Sequence, residues 1–175
     1  SDLALGLSAD SPQWRKGALY RLSTPTAGAK VLDVRDDAVR TAEVDAARRE
    51  QYWTLAPLSG AWRIINPFTQ RALRFAGDRV ETGEINGSDE NQMWSVEAVP
   101  GGGYLFVPAA RRTVCLSLDA TGKAVLKDLA AARRDKHSAF RTNPAEVSGF
   151  DDAQTYRLRL VGQPGYVLGN GELPE

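Results

Sequence analysis

The chain has 175 residues and a mass of 19.0 kDa, room for one domain with its own core and too little for two. Hydrophobic residues make up 42% and charged residues 25%, which excludes a disordered or low-complexity chain. The 22 basic and 22 acidic side chains balance, so the field that gathers nucleic-acid phosphates is missing and no nucleic-acid partner is expected.

In chain order, residues 1–17 read as an N-terminal extension. Residues 1–7 have neither the basic start nor the apolar stretch of a signal segment. No run elsewhere is long enough to cross a bilayer, so membrane insertion is not expected. From Ala18 onward the chain repeats itself. Tyr20-Arg-Leu-Ser, Trp62-Arg-Ile-Ile and Tyr104-Leu-Phe-Val each place an aromatic ahead of apolar residues and predict strands. A turn-rich stretch leads to a second strand centred on a leucine: Val31-Leu32-Asp33-Val34, Ala72-Leu73-Arg74-Phe75 and Cys115-Leu116-Ser117-Leu118. A third strand is expected to carry Val44 and Ile85, and a polar link then runs into Gln51-x-Trp53 and Gln92-x-Trp94 as the fourth.

The period is explicit. Thr41-Ala-Glu-Val-Asp45 recurs as Thr82-Gly-Glu-Ile-Asn86, and Glu50-Gln51-Tyr52-Trp53 as Asn91-Gln92-Met93-Trp94, each displaced by 41 positions. The third unit is degenerate: Ser138-Ala139-Phe140 stands in place of Gln-x-Trp, and Phe140 follows Trp94 by 46 positions. Residues 45–50 and 129–135, rich in alanine and arginine, are too short for independent helices and are expected to form single helical turns within loops. Near the C-terminus, Tyr156-Arg-Leu-Arg followed by Val167-Leu168-Gly169 repeats the opening of the first unit. Residues 149–175 read either as the start of a fourth repeat or as strands completing the fold, with Ser11-Pro-Gln-Trp14 as a detached closing strand. Four short strands per unit predict an all-β barrel or sandwich.

Three tandem units of about forty residues that close on Gln-x-Trp, with Val31-Leu32-Asp33-Val34-Arg35-Asp36 in the first, resemble the ricin-B-type β-trefoil lectin family over residues 18–143. The resemblance implies a β-trefoil over residues 18–148, built from three tandem four-strand repeats. Trp53, Trp94 and Phe140 would pack at its shared core, Gln51 and Gln92 would brace the loops before them, and a shallow sugar pocket would lie near the Leu-Asp strand. It further implies a non-catalytic carbohydrate-binding module, with a glycan as partner and no cofactor or metal. Such a module would be secreted or at the cell surface, as an accessory domain of a glycan-active enzyme or toxin. The alanine and arginine content is that of a GC-rich bacterial source.

A carboxylate that accepts two hydrogen bonds holds a pair of sugar hydroxyls, while an aromatic ring stacks on the sugar's apolar face. Asp33 is the candidate acceptor, with Asp36 beside it in a turn-like stretch and the polar residues Glu50, Gln51, Asn91 and Gln92 completing the candidate set. The equivalent positions in the other units are Arg74 and Ser117, which cannot act as that acceptor, and the stacking position holds Glu43 and Glu84. Asp33 as a turn residue that accepts local backbone N–H groups is the competing reading. Trp14 and Phe68, least constrained by the repeat, are the aromatics to examine for exposure.

Cys115, the only cysteine, excludes an intrachain disulfide and reads as a small buried hydrophobe. His137, the only histidine, is expected in an exposed link, and no Gly-x-Ser-x-Gly elbow is present. No enzyme is predicted. Two alternatives to a lectin remain: a trefoil with decayed sugar sites that recognises a protein, and a trefoil inhibitor of hydrolases acting through the loops at 57–60 or 108–113.

Overall fold

The computed structural model describes residues 12–147. The segment 149–175, with the motifs at Tyr156 and Leu168, lies outside the described residues. Each unit contributes four strands in the order expected. The first has β1 (Tyr20–Ser23), β2 (Val31–Arg35), β3 (Ala38–Ala42) and β4 (Thr54–Leu58). The second has β5 (Ala61–Asn66), β6 (Arg71–Ala76), β7 (Arg79–Glu84) and β8 (Trp94–Ala98). The third has β9 (Tyr104–Pro108), β10 (Val114–Leu118), β11 (Ala124–Asp128), a helix α1 (Leu129–Asp135) and β12 (Arg141–Pro144).

First and fourth strands pair in a ring. β4 pairs with β5, β5 with β8, β8 with β9, and β12 with β1, all antiparallel. Bridges Tyr20 to Trp53 and Tyr104 to Phe140 supply the two remaining joins, so the six strands close into a barrel without a free edge. Second and third strands form three hairpins, β2–β3, β6–β7 and β10–β11. Because every first strand leads into a hairpin and every fourth strand returns from one, the hairpins cap one end of the barrel and the aromatic openers stand at the other. The hairpins touch through the pairs Arg40 with Lys123 and Val125 with Arg79.

Each unit sends equivalent side chains inward. Leu22, Ile64 and Phe106 come from the first strands and Leu32, Leu73 and Leu116 from the second. Val39, Val80 and Ala124 come from the third, and Trp53, Trp94 and Phe140 close the units. All twelve belong to one buried cluster, the hydrophobic burial on which a chain without disulfides relies.

Two expectations are corrected. The third strands do not carry Val44 and Ile85: they end at Ala42 and Glu84, and Val44 is 48% exposed. The cause is the turn Asp36-Asp37, both residues at positive φ (50° and 65°), which closes a two-residue hairpin, pairs Val34 with Val39 and brings Val39 to the core. Second, Leu129–Asp135 is a seven-residue α-helix rather than a single turn. Asp128 caps it by accepting from the Ala131 amide at 2.9 Å. Leu129 and Ala132 bury one face against Leu105, Val107, Cys115 and Ala139, so tertiary packing sustains a helix too short to stand alone. Burial there pushes the Cys115 thiol up to about 11, which keeps it protonated and inert.

Trp14, in the extension ahead of β1, packs against the barrel. It lies edge-on to Trp62 and Tyr104, with ring centroids 4.8 and 5.0 Å away, and stacks near Phe106. Its indole N–H donates to Thr142 Oγ1 at 2.9 Å. Phe68 is half-buried, edge-on to Tyr52 and beneath the Arg49 guanidinium.

Candidate functional site

Asp33 sits mid-strand in β2, and its side chain is fully buried. A buried carboxylate must be paired, and this one is saturated. Oδ1 accepts from the Val34 amide at 2.7 Å and from Arg48 Nη2 at 2.8 Å. Oδ2 accepts from Arg48 Nε at 2.9 Å and from Gln51 Nε2 and Arg35 Nε at 3.2 Å each. Burial alone would raise the Asp33 pKa, but the hydrogen bonds from Arg48 and Gln51, the Arg48 charge and the Val34 amide together hold the carboxyl below its ordinary value. Arg48 thus occupies both oxygens in the forked geometry that arginine offers a carboxylate, and no lone pair faces solvent.

Gln51 ends a short 3-10 turn, Arg49–Gln51, and staples its own loop. Its Oε1 accepts from the Asp45 amide at 2.9 Å, and its Nε2 donates to the Glu43 carbonyl at 2.9 Å. Gln92 repeats both bonds 41 residues later, accepting from the Asn86 amide at 3.0 Å and donating to the Glu84 carbonyl at 2.6 Å. Gln92→Ala would remove the partner of the Asn86 amide and of the Glu84 carbonyl, two part-buried bonds worth about 1 kcal/mol each. The expected result is a destabilised but folded chain whose Asn86 amide, protected in the wild type, exchanges fast with deuterium.

The second unit builds the same central pair with its charges reversed. Arg74 stands where the first unit has Asp33, and Asp89 where it has Arg48. Arg74 Nε donates to Asp89 Oδ2 at 3.1 Å. Its cross-strand partner Glu81, in the place of Arg40, takes a second bond from Arg74 Nη1. In both units the position is closed by an ion pair internal to the repeat.

The third unit leaves it open. Ser117 and Ser138 hold the places of Asp33 and Gln51, and their hydroxyls lie 2.7 Å apart, 5% and 2% exposed as residues. Asp135 holds the place of Arg48 but turns to Lys127, since Ser117 offers it no charge. What remains is a cavity of about 350 Å³, walled by Ser117, Asp119, Lys127, His137 and Ser138 on one side and by Thr26, Lys30 and Thr41 of the first unit on the other.

No family model matches the chain, and no curated protein matches it in sequence. Solved structures do match. A designed 3-fold symmetric protein, ThreeFoil, superposes with a TM-score of 0.62 at 17% identity, over 73% of this chain and 99% of its own. The fold is a β-trefoil. SeviL, solved bound to asialo-GM1 saccharide, matches the trefoil with a TM-score of 0.59 at 14% identity, over 74% of this chain and 98% of its own. The GlcNAc[alpha]1-4Gal releasing endo-β-galactosidase from Clostridium perfringens matches at 0.67 and 17% identity over 74% of this chain. The trefoil spans 33% of that enzyme's length.

Within the trefoil, the predicted site residues are divided. Asp33 and Gln51 meet, and Glu50 lies 3.6 Å from Arg48 at their rim. Gln92 and Asn91 occupy the equivalent place in unit two, where the Asn91 amide donates to Asp89. Asp36 stands apart, exposed at the hairpin turn beside a different cavity lined by Arg71, Arg79 and Lys123. The carboxylate proposed for sugar hydroxyls is therefore closed off by the protein's own donors. Sequence reasoning missed Arg48, Asp89 and the open position in unit three. The signal for the first two was available: at the 41-residue displacement, Asp33 and Arg48 become Arg74 and Asp89, a reversal that points to a paired position.

Proposed function

We propose that this trefoil is a non-catalytic glycan-binding module whose site is the cavity of the third unit. The observation that carries the reading is the contrast among the repeats. The position that units one and two fill with their own ion pairs is, in unit three, a hydroxyl-lined pocket large enough for one sugar ring. The fold match to SeviL, solved bound to a saccharide, and to part of an endo-β-galactosidase supports the class. A shallow single site binds weakly and gains from multivalent display or from linkage to a larger parent.

The test is a multivalent glycan array probed with the wild type, Thr26→Trp and Asp33→Asn, after circular dichroism confirms that all three fold. Thr26 is exposed on the cavity wall, so the indole obstructs the pocket without entering the core. Binding lost in Thr26→Trp and kept in Asp33→Asn is the expected result. Loss in Asp33→Asn alone would return the site to unit one, and silence from the wild type would overturn the glycan reading in favour of a protein partner.

A further inference from the structure

The chemistry of this cavity is unlike that of a site for neutral sugars. A neutral sugar is held by carboxylates that accept from its hydroxyls and by an aromatic ring under its apolar face. The cavity walls hold no phenylalanine, tyrosine or tryptophan ring, and their one carboxylate, Asp119, commits one of its two oxygens to its own turn. Asp119 Oδ1 accepts from the Thr121 amide at 2.8 Å, the Thr121 hydroxyl at 2.6 Å and the Lys123 amide at 3.0 Å.

Donors dominate instead. Ser117 and Ser138 share one hydrogen bond, which commits one hydroxyl proton of the pair and leaves the other for a ligand. Lys127 is tethered by Asp135 at the cavity wall. Lys30 lines the opposite wall and has no ion-pair partner among the described residues. His137 adds an exposed imidazole whose backbone amide is fixed by Asp135. The walls thus carry the ammonium of Lys30, the ion-paired ammonium of Lys127 and the imidazole of His137 around a hydroxyl-lined space, in a chain whose overall charge is zero.

From this we infer that the pocket selects an acidic sugar, one whose ring hydroxyls meet the serine pair and whose anionic substituent meets Lys30 and Lys127. The inference rests on the glycan reading of the same pocket. The anion can be a carboxylate or a sulfate ester, since an ammonium accepts either as a point-charge partner.

The test uses one oligosaccharide in three forms: neutral, capped with a carboxylate-bearing sialic acid, and sulfated on the terminal ring. At low ionic strength at least one acidic form is expected to bind about ten-fold or more tighter than the neutral parent, and the tighter of the two identifies the anion. That preference should vanish in Lys30→Ala, persist in Lys30→Arg, and weaken as salt is raised from about 0.05 to about 0.5 M. Equal binding of all three forms, unaffected by Lys30→Ala, overturns the acidic preference and leaves the glycan site standing. No binding of any form overturns both. A single-stranded DNA oligomer serves as control: binding of it that matches the acidic glycans would show diffuse attraction to anions and overturn the pocket's selectivity.

Discussion

Trp53→Ala is expected to destabilise the fold severely, with a urea midpoint far below that of the wild type. Trp53 is fully buried immediately ahead of β4, its backbone bridged to Tyr20 in the ring of barrel strands and its indole N–H donating to the Leu32 carbonyl at 3.2 Å. Truncating a buried tryptophan costs roughly 3–5 kcal/mol through lost burial and the cavity left behind, against a total stability of about 5–15 kcal/mol for domains of this kind. Trp94→Ala is the same experiment in unit two, where the indole N–H donates to the Leu73 carbonyl at 3.1 Å. Phenylalanine separates the two contributions. Trp94→Phe keeps most of the ring but orphans a buried carbonyl, a loss of about 1–3 kcal/mol, and Phe140 shows that the fold accepts that ring at the equivalent place in unit three. Urea unfolding with an unchanged m-value checks the order alanine, phenylalanine, wild type. Equal stability of all three would show that the closing aromatics are not the core that the repeat pattern indicates.

Why those residues could be read from sequence, and others not, follows from what each depends on. The units, their openers and their closers depend on local alternation and on the 41-residue displacement, and both survive in one dimension. Val39 was missed because the third strand's register is set by two aspartates held at positive φ, a conformation that composition does not announce. Arg48 was missed because its partner lies 15 residues back across a loop, and because Asp33 invited a ligand-binding reading on its own. The helix α1 was read short because its stability comes from a satellite core on β9 and β10, which no local pattern displays. The cavity of unit three is the hardest case. It exists because Ser117 and Ser138 are smaller than the side chains whose places they hold and Asp135 turns away to Lys127, so the degenerate repeat, which looked least informative, holds the open cavity.

Arg48→Ala tests the account of the filled positions. Arg48 is 24% exposed and Asp33 has no exposure at all, so removing the arginine leaves a buried carboxylate whose one remaining cation is the half-exposed Arg35, at 3.2 Å. Breaking a buried pair from one side typically costs about 3–5 kcal/mol, a fall in Tm on the order of 10 °C for a chain of this size. The pH dependence follows with a definite sign. In the wild type the folded Asp33 pKa lies below its unfolded value, so the contribution is complete above that unfolded value, near 3.8, and is lost as pH falls through the folded pKa. In Arg48→Ala the carboxylate has lost its strongest partner and burial weighs more, so the gain in stability from acid to neutral pH should shrink. Arg48→Ala combined with Asp33→Asn should recover part of the loss, because the uncompensated charge is gone. The sharper control comes from unit two, which holds the same pair in reverse as Arg74 and Asp89. Asp33→Arg with Arg48→Asp should therefore be more stable than either single change, with a coupling energy on the order of 1–3 kcal/mol in the double-mutant cycle. If the two changes simply add, the reversal between the repeats is coincidence, and Asp33 is held by Gln51 and the Val34 amide rather than by its arginine.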